Sequence, residues 1–297
     1  MNTAKIKFLN IQKSKIIPVF FIILVFLSVI SASEMSLKFT NKPKGDMIMS
    51  TRLIDYSQDS VGKLLVTTGF KRGEPYENGY LYLLNYNGEV IWNKEIGNVD
   101  STMASITDSH PPDARFYPKD AYGIDFNGNS QNDILLLTES HFYILTEQGI
   151  SKKYFKSVPV SEIKSADIFG EGKEVALLAG VNASMISYDG YSYIFSTIAK
   201  PSKPLNSITS ANLDSDIERE VITGGENISG EGNISIYDYN SSTTNWTKTH
   251  SYITGAGMAI KKVIATNLDN GSEYQVGDEK IEIIALSEKY VYCFHTK

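Results

Sequence analysis

The stretch DFNGNSQNDILLL, residues 125–137, decides the fold of this chain. In residues 125–133, oxygen-bearing side chains recur at alternate positions, which is typical of a tight polar loop. The four apolar residues that follow favour a short buried strand. A second short run, residues 142–145, comes soon after and leads into the turn dipeptide Gln148-Gly149. The stretch therefore predicts a loop followed by antiparallel strands.

The same order of loop, apolar strand and aromatic strand returns five times at a spacing of roughly 45 residues. The five loops begin at Asp55, Asp125, Asp167, Asn212 and Asn267. The apolar strands after them cover residues 64–66, 134–137, 175–178, 221–222 and 283–286. The third strands cover residues 80–84, 142–145, 185–188, 234–237 and 290–294. An internal repeat of this length indicates one supersecondary unit used in series.

Turn chemistry favours strands over helices in every copy. Asn87-Gly88 and Asp189-Gly190 separate short apolar runs, as in hairpins, and no segment has a 3.6-residue period. The continuously apolar second strands imply burial on both faces. Four-stranded units in series predict an all-β fold, a β-propeller of about five four-stranded blades. A β-sandwich is the alternative, but it does not require the same loop at the same place in each unit.

Closure of the ring gives a second argument for a propeller. The fifth copy lacks a fourth strand, because only three residues follow Phe294. Residues 36–40 precede the first copy and alternate apolar and polar side chains, so we expect this N-terminal strand to complete the last blade and cover its edge. Five is fewer blades than most propellers have. Residues 98–119 are either an insertion, which could carry recognition, or a decayed extra blade.

The N-terminus has the order of an export signal. Four lysines precede the apolar residues 16–30, no acidic residue occurs before Glu34, and residues 31–33 are small. This order predicts a signal peptide over residues 1–33, with an uncleaved N-terminal anchor as the alternative. Residues 34–297 then form a single β-propeller domain that is extracellular or at the cell surface.

Charge and cysteine content exclude several classes of protein. Residues 34–297 carry 24 of the 28 basic and all 34 acidic side chains, a net charge of about −10. This charge disfavours nonspecific binding to nucleic acid, and contact with a membrane is expected only through an uncleaved N-terminal segment. The single cysteine, Cys293, excludes a disulfide framework and is expected to be a small buried side chain.

The chain contains six Asn-x-Ser/Thr sequons. Because the export signal predicts secretion, these sequons predict a glycoprotein if the host glycosylates. They lie at Asn182, Asn227, Asn233, Asn240, Asn245 and Asn270.

At its loops the chain resembles the FG-GAP and VCBS repeat propellers, which are relatives of the integrin α-subunit head. The resemblance covers residues 50–297 and implies calcium at loops of the form Asp-x-Asp/Asn-x-Asp/Asn-Gly-x-x-Asp. In the second copy, positions one, three, five and nine and the backbone of position seven match this pattern. These residues are Asp125, Asn127, Asn129, Asp133 and Gln131. Their oxygens suit a hard cation, with a Kd of roughly 10⁻⁴ to 10⁻³ M.

The second copy departs from the family pattern at one point, since glycine occupies position four instead of position six, where Ser130 stands. The fourth copy places Asn212, Asp214, Asp216 and Glu220 at the same four ligand positions and ranks second. The first, third and fifth copies are expected to be metal-free, the third because it is one residue short and carries Phe169 at a ligand position. For all five loops the alternative is that Asp, Asn and Gly simply form turns.

Sequence motifs of the common hydrolases and nucleotide enzymes do not occur in the chain. We therefore expect an exported noncatalytic propeller that binds a protein or glycan at the cell surface, with calcium stabilising one or two loops. The alternative is a secreted enzyme, either carbohydrate-active or a quinoprotein oxidoreductase, since residues 79–92 resemble a quinoprotein repeat. Trp92 and Trp246 are expected to be packing residues.

Overall fold

The structure is a computed structural model that describes residues 47–54, 62–69, 79–85, 87–96, 118–138, 141–146, 151–156, 159–214, 216–266 and 281–295. These residues form nineteen strands in five antiparallel sheets. The described residues include no helix long and apolar enough to cross a membrane. The predicted all-β fold class is confirmed.

Each sheet is a meander in which consecutive strands pair. The first contains β1 (Met47–Ile54), β2 (Lys63–Gly69), β3 (Gly79–Leu84) and β4 (Val90–Ile96). The second contains β5 (Pro118–Ile124), β6 (Asp133–Thr138), β7 (His141–Leu145) and β8 (Ser151–Lys156). The third contains β9 (Val160–Ala166), β10 (Val175–Gly180), β11 (Ala183–Tyr188) and β12 (Tyr193–Ala199). The fourth contains β13 (Leu205–Ala211), β14 (Glu220–Glu226), β15 (Glu231–Asn240) and β16 (Asn245–Ala256). The fifth contains β17 (Ile260–Thr266), β18 (Glu282–Ser287) and β19 (Val291–His295).

The five sheets coincide with the five repeats of the sequence. The apolar second strands lie inside their sheets as expected, and all six residues of β10 are buried. In the described part of the chain the fifth sheet has three strands, in agreement with the missing fourth strand of the fifth copy. The proposed completing strand, residues 36–40, and the export segment, residues 1–33, lie outside the described residues. So do residues 98–117, while Pro118 and Lys119 begin β5.

The core lies between successive sheets and joins them in series. Ile54 and Leu81 of the first sheet meet Ile134 of the second, and Phe126 of the second meets Ile163 of the third. Further clusters of the same kind join the third sheet to the fourth and the fourth to the fifth. Because the second, third and fourth sheets each bury one face against the sheet before and one against the sheet after, their second strands have to be apolar on both faces.

The first strands of the sheets are connected by polar side chains. Arg52 of β1 donates to Asp120 of β5, with Nη2 2.7 Å from Oδ2. Glu162 of β9 accepts the hydroxyl of Ser207 of β13 at 2.5 Å and also forms an ion pair with Lys262 of β17. The third, fourth and fifth sheets therefore converge at Glu162, and the first and second meet at Asp120.

The tryptophans and the cysteine test three expectations about packing. Trp92 packs against the core between the first two sheets, and Trp246 packs against that between the third and fourth, 5.2 Å from the ring of Tyr239. The expectation of packing is confirmed for both. Cys293, however, is exposed, so the expectation of burial is wrong. It lies on β19, where Tyr292 and Phe294 pack against the fourth sheet and Val291 and Cys293 are exposed.

Candidate metal centre

The loops between first and second strands have a common length in four sheets. Strand pairing ends at Ile54↔Lys63, Ile124↔Asp133, Ala166↔Val175 and Ala211↔Glu220, so eight residues separate the paired ends in each case. The third copy is therefore not one residue short. Its ninth position is the apolar Val175, which cannot serve as a ligand.

Three acidic residues of the fourth loop come together. Ligand oxygens of Asp214, Asp216 and Glu220 all lie within 4.8 Å of one another. The loop is held in shape by the backbone N–H of Asp216, which donates to Asp214 Oδ1 at 2.9 Å. In addition, Asn212 Nδ2 donates to the carbonyl of Asp216 at 2.7 Å. In this bond the amide nitrogen of Asn212 faces the carbonyl of Asp216, so the amide oxygen faces away from that carbonyl.

Two oxygens of this loop are buried with no hydrogen-bond donor among the described residues, Asn212 Oδ1 and Glu220 Oε1. Glu220 is only 4% exposed, and its other oxygen accepts the N–H of Leu213 at 2.6 Å. A buried acceptor without a partner is costly, so a bound ion or water molecule at these atoms would stabilise the loop. The four side chains that the sequence proposed in this loop thus include two that need a partner.

Electrostatics of the fourth loop also favour a cation. Burial, reinforced by the charges of Asp214 and Asp216, raises the pKa of Glu220 to about 7 despite the N–H of Leu213. Burial and the neighbouring carboxylates of Asp214 and Glu218 also raise the pKa of Asp216. A hard divalent cation would relieve this repulsion and satisfy the buried oxygens, and carboxylate and amide oxygens are the ligands that Ca²⁺ prefers.

In the second loop the side-chain oxygens accept hydrogen bonds from the backbone of the loop itself. Asp125 Oδ1 accepts the backbone N–H groups of Gly128 and Asn129, at 2.9 and 3.1 Å, and Oδ2 accepts that of Ser130 at 2.7 Å. Asn127 Oδ1 accepts the N–H of Asn129. In the same way, Asn129 Oδ1 accepts that of Gln131 at 2.9 Å. The first three predicted ligand side chains are therefore satisfied by the loop itself.

The carboxylate at the ninth position of the second loop accepts a hydrogen bond from the next sheet. Asp133 is 5% exposed, and the hydroxyl of Tyr193 in β12 donates to its Oδ2 at 2.5 Å. Sequence reasoning missed Tyr193, since it lies 60 residues from Asp133 and no spacing rule connects the two. The structure thus favours the fourth loop over the second, the reverse of the order expected from the sequence.

The other loops contribute less to a metal site. In the third, Asp167 accepts the N–H groups of Glu171 and Gly172 at 3.1 and 2.8 Å. Loop residues 55–61 and 267–280 lie outside the described residues. The first loop has Lys63 at its ninth position, and the longer fifth loop ends at Glu282, which pairs with Thr266 and is 1% exposed.

Loops of consecutive sheets are hydrogen-bonded to each other. The N–H of Glu174 donates to the carbonyl of Asp125 at 2.8 Å, and Glu174 Oε2 accepts the N–H of Asp125. Likewise the N–H of Arg219 donates to the carbonyl of Ile168 at 2.8 Å. The second, third and fourth loops therefore lie side by side at one end of the sheets.

Comparison with known proteins gives the fold only. No protein family and no curated protein matches the chain. Among solved structures, the chain is similar to BBS1N, a propeller-like domain crystallised in complex with ARL6DN and soaked with mercury. The TM-score is 0.52 and the identity 11%, over 86% of this chain and 67% of that one. The chain therefore has a β-propeller-like all-β fold.

Proposed function

We propose that the chain is an exported β-propeller that binds a protein or glycan at the cell surface without catalysis, and that calcium stabilises its loops. Residues 1–33 direct export, and residues 34–297 form one domain of five blades. The serial packing of five meanders supports a ring. The convergence of the first strands supports it too, because Glu162 of the third sheet reaches Lys262 of the fifth.

Residues 36–40 supply the fourth strand of the fifth blade in this proposal. The support is the three-stranded fifth sheet, whose last described strand, β19, carries the exposed side chains of Val291 and Cys293. A chain lacking residues 34–40 should melt at a lower temperature or associate, because an open sheet edge pairs with other chains. Unchanged stability and solubility of this shortened chain would contradict closure by residues 36–40.

The observation that carries the metal proposal is the pair of buried unpartnered oxygens, Asn212 Oδ1 and Glu220 Oε1, beside two further carboxylates. Calcium is the cation we propose, since an exported protein meets it at high concentration and these four side chains offer only oxygen. The second loop is a weaker candidate, because its oxygens have donors already.

Thermal unfolding with calcium and with chelator tests the metal site on purified residues 34–297. Bound calcium stabilises the folded state by about RT ln(1 + [Ca]/Kd), so calcium should raise the melting temperature of the wild type. Asp214→Asn should remove this rise in melting temperature. Asp167→Asn should keep it, because Asp167 accepts hydrogen bonds from the backbone of its own loop. A wild type that melts at the same temperature with calcium and with chelator would show that the loops are turns only.

A pull-down from the native envelope tests the binding function separately. The wild-type domain should retain a surface protein or glycan, and addition of chelator should weaken the retention if the loops support the binding surface. If the domain retains neither a surface protein nor a glycan, and turns over substrate in a screen of glycan hydrolysis or quinone-dependent oxidation, an enzyme would be favoured instead.

A further inference from the structure

A cleft of about 590 Å³ opens between the first strands of the first three sheets. Arg52 of β1, Tyr122 of β5 and Lys164 of β9 line it. Volumes of this size are typical of small-molecule sites. The cleft reaches the loop end of these strands, since Asp125 and Glu174 also border it. It does not include the fourth loop, so it is distinct from the candidate metal centre.

The acidic groups at this cleft are already engaged by the protein. Asp120, behind Arg52, accepts Arg52 Nε at 3.3 Å and Nη2 at 2.7 Å, and also the hydroxyl of Tyr122 at 2.7 Å. Burial opposes the charge of Asp120, but hydrogen bonds from Arg52, Ser50 and Tyr122 outweigh it and lower its pKa. The carboxylate of Asp120 is thus fixed as the partner of Arg52.

Glu162, Asp125 and Glu174 are engaged in the same way. Glu162 accepts Ser207 Oγ at 2.5 Å and the N–H of Ile208, and pairs with Lys262. The loop N–H groups occupy both oxygens of Asp125. Glu174 accepts the N–H of Asp125 at 3.0 Å and the hydroxyl of Ser165 at 3.4 Å. Each negative charge around the cleft therefore already accepts hydrogen bonds from the protein.

The two cations, in contrast, keep donors that the described residues do not use. Arg52 donates through Nε and Nη2, and Nη1 has no acceptor among the described residues. Among the described residues Lys164 forms an ion pair with Glu162 alone, with Nζ 3.8 Å from Oε1, beyond hydrogen-bond distance. Both side chains are close to half exposed, 45% for Arg52 and 47% for Lys164. Both hydrogens of Nη2 are used, by Asp120 and by the hydroxyl of Tyr122, so Arg52 offers an anion the N–H groups of Nη1.

The uncharged lining indicates what else the ligand carries. Ser130, Asn132 and Ser165 border the cleft with hydroxyl and amide groups, which both donate and accept as sugar hydroxyls do. Leu53, 66% exposed, adds an apolar wall against which the C–H face of a sugar ring can pack. Ile54 and Ile163 also line the cleft but are only 5% and 3% exposed, so Leu53 provides most of its exposed aliphatic surface.

We infer that this cleft binds an acidic sugar unit of a surface glycan, whose carboxylate lies between Arg52 and Lys164. The inference rests on the proposed binding function and names its site and ligand class. Attraction is local, because the domain as a whole is strongly acidic and repels anions at a distance. Binding should therefore weaken with salt, which screens a contact this exposed.

Calorimetric titration of the calcium-loaded domain with a short oligogalacturonate tests the inference. Neutral maltooligosaccharide of the same length is the control ligand, and an oligoglutamate peptide separates a sugar site from a general carboxylate or peptide site. Lys164→Gln should weaken oligogalacturonate binding at least about tenfold, since hydrogen bonds to charged groups are among the strong ones. Lys261→Gln is the matched control, because Lys261 is a first-strand lysine paired with Glu288 outside this cleft.

The outcomes separate the inference from the function on which it rests. Binding of oligogalacturonate that Lys164→Gln weakens and Lys261→Gln does not, with no binding of the neutral sugar, supports it. Preference for the peptide, equal binding of the neutral sugar, or no binding overturns it. If the wild type and Lys164→Gln retain the same envelope ligand equally, binding stands as a function but this cleft is not its site. Arg52→Lys should also weaken binding, and thermal melts of each variant check that it is folded.

Discussion

The second and fourth loops have similar ligand spacing but use it differently. In the second, Gly128 and Ser130 adopt left-handed backbone conformations, with φ of 72° and 62°, and successive N–H groups turn toward Asp125. In the fourth, position six is Ile217, which does not adopt this conformation. A β-branched residue disfavours it, and the oxygens of Asn212 and Glu220 stay without donors among the described residues.

This difference teaches that equal ligand spacing does not give two loops the same free oxygens. In the second loop the left-handed backbone turns successive N–H groups toward Asp125, whereas in the fourth loop two buried oxygens lack donors among the described residues. The neighbouring sheet adds a second influence, since Tyr193 holds Asp133 in the second loop. Each of the following predictions changes one of these influences.

The largest effect is expected from Tyr193→Phe, which removes the donor to the buried Asp133. Loss of a buried hydrogen bond to a charged group should lower the free energy of unfolding by about 2–3 kcal/mol, measured in urea. The loss should be the same with calcium and with chelator. Tyr191→Phe is the control, because Tyr191 is 95% exposed. A stability loss in Tyr193→Phe that calcium reverses would instead mean that Asp133 is a ligand.

In the metal-free protein, the pH dependence of stability should show the raised pKa of the Glu220 carboxyl group. Its pKa is about 7 in the folded state and near 4.5 when unfolded, so the folded state binds the proton more tightly. The resulting stabilisation is complete below about pH 4.5 and is lost as the pH rises through 7. The free energy of unfolding of Glu220→Gln, relative to that of the wild type, should therefore increase by about 2 kcal/mol between pH 5 and pH 7.5, after allowance for solvent screening. Parallel stability curves for the two proteins over this range would contradict the raised pKa.

Calcium should affect the two loops unequally. At about ten times Kd the gain is about 1.4 kcal/mol, and Asp214→Asn should abolish it. Asp125→Asn should lower stability but keep the calcium-dependent gain. Urea unfolding of both variants with calcium and with chelator measures the gain directly. The opposite result, with the gain lost in Asp125→Asn and kept in Asp214→Asn, would restore the order that the sequence alone suggests.

The smallest effect is expected from Ser130→Gly. A non-glycine residue in the left-handed region carries a cost of roughly 1 kcal/mol, which glycine avoids. The variant should be more stable by up to about that amount, with its calcium response unchanged. Ser229→Gly in the turn of Asn227 is a comparison without this conformation. Equal changes in the two variants would mean that the strain at Ser130 contributes nothing.

Much of the fold could be predicted from the sequence because its information is local. Each loop that begins at Asp or Asn and runs into an apolar strand marks one sheet, and the continuous apolar runs such as that of β10 mark burial on both faces. The ligand positions of the fourth loop could be predicted from spacing for the same reason. The ranking of the loops could not, since it depends on the backbone conformation at Ser130 and on the distant Tyr193. The exposure of Cys293 was missed because an apolar strand at the end of a sheet can leave one face uncovered.

The ion pair between Glu162 and Lys262 has a consequence for how the chain folds. The two residues are 100 positions apart, so this ion pair forms only after the fourth sheet and the first strand of the fifth have been made. Contacts of such long range slow folding, because the entropy of closing the loop has to be lost before the contact forms. During synthesis the third sheet therefore exists for some time without the contact to Lys262, and the protein should acquire its full resistance to proteolysis only after the fifth sheet has docked.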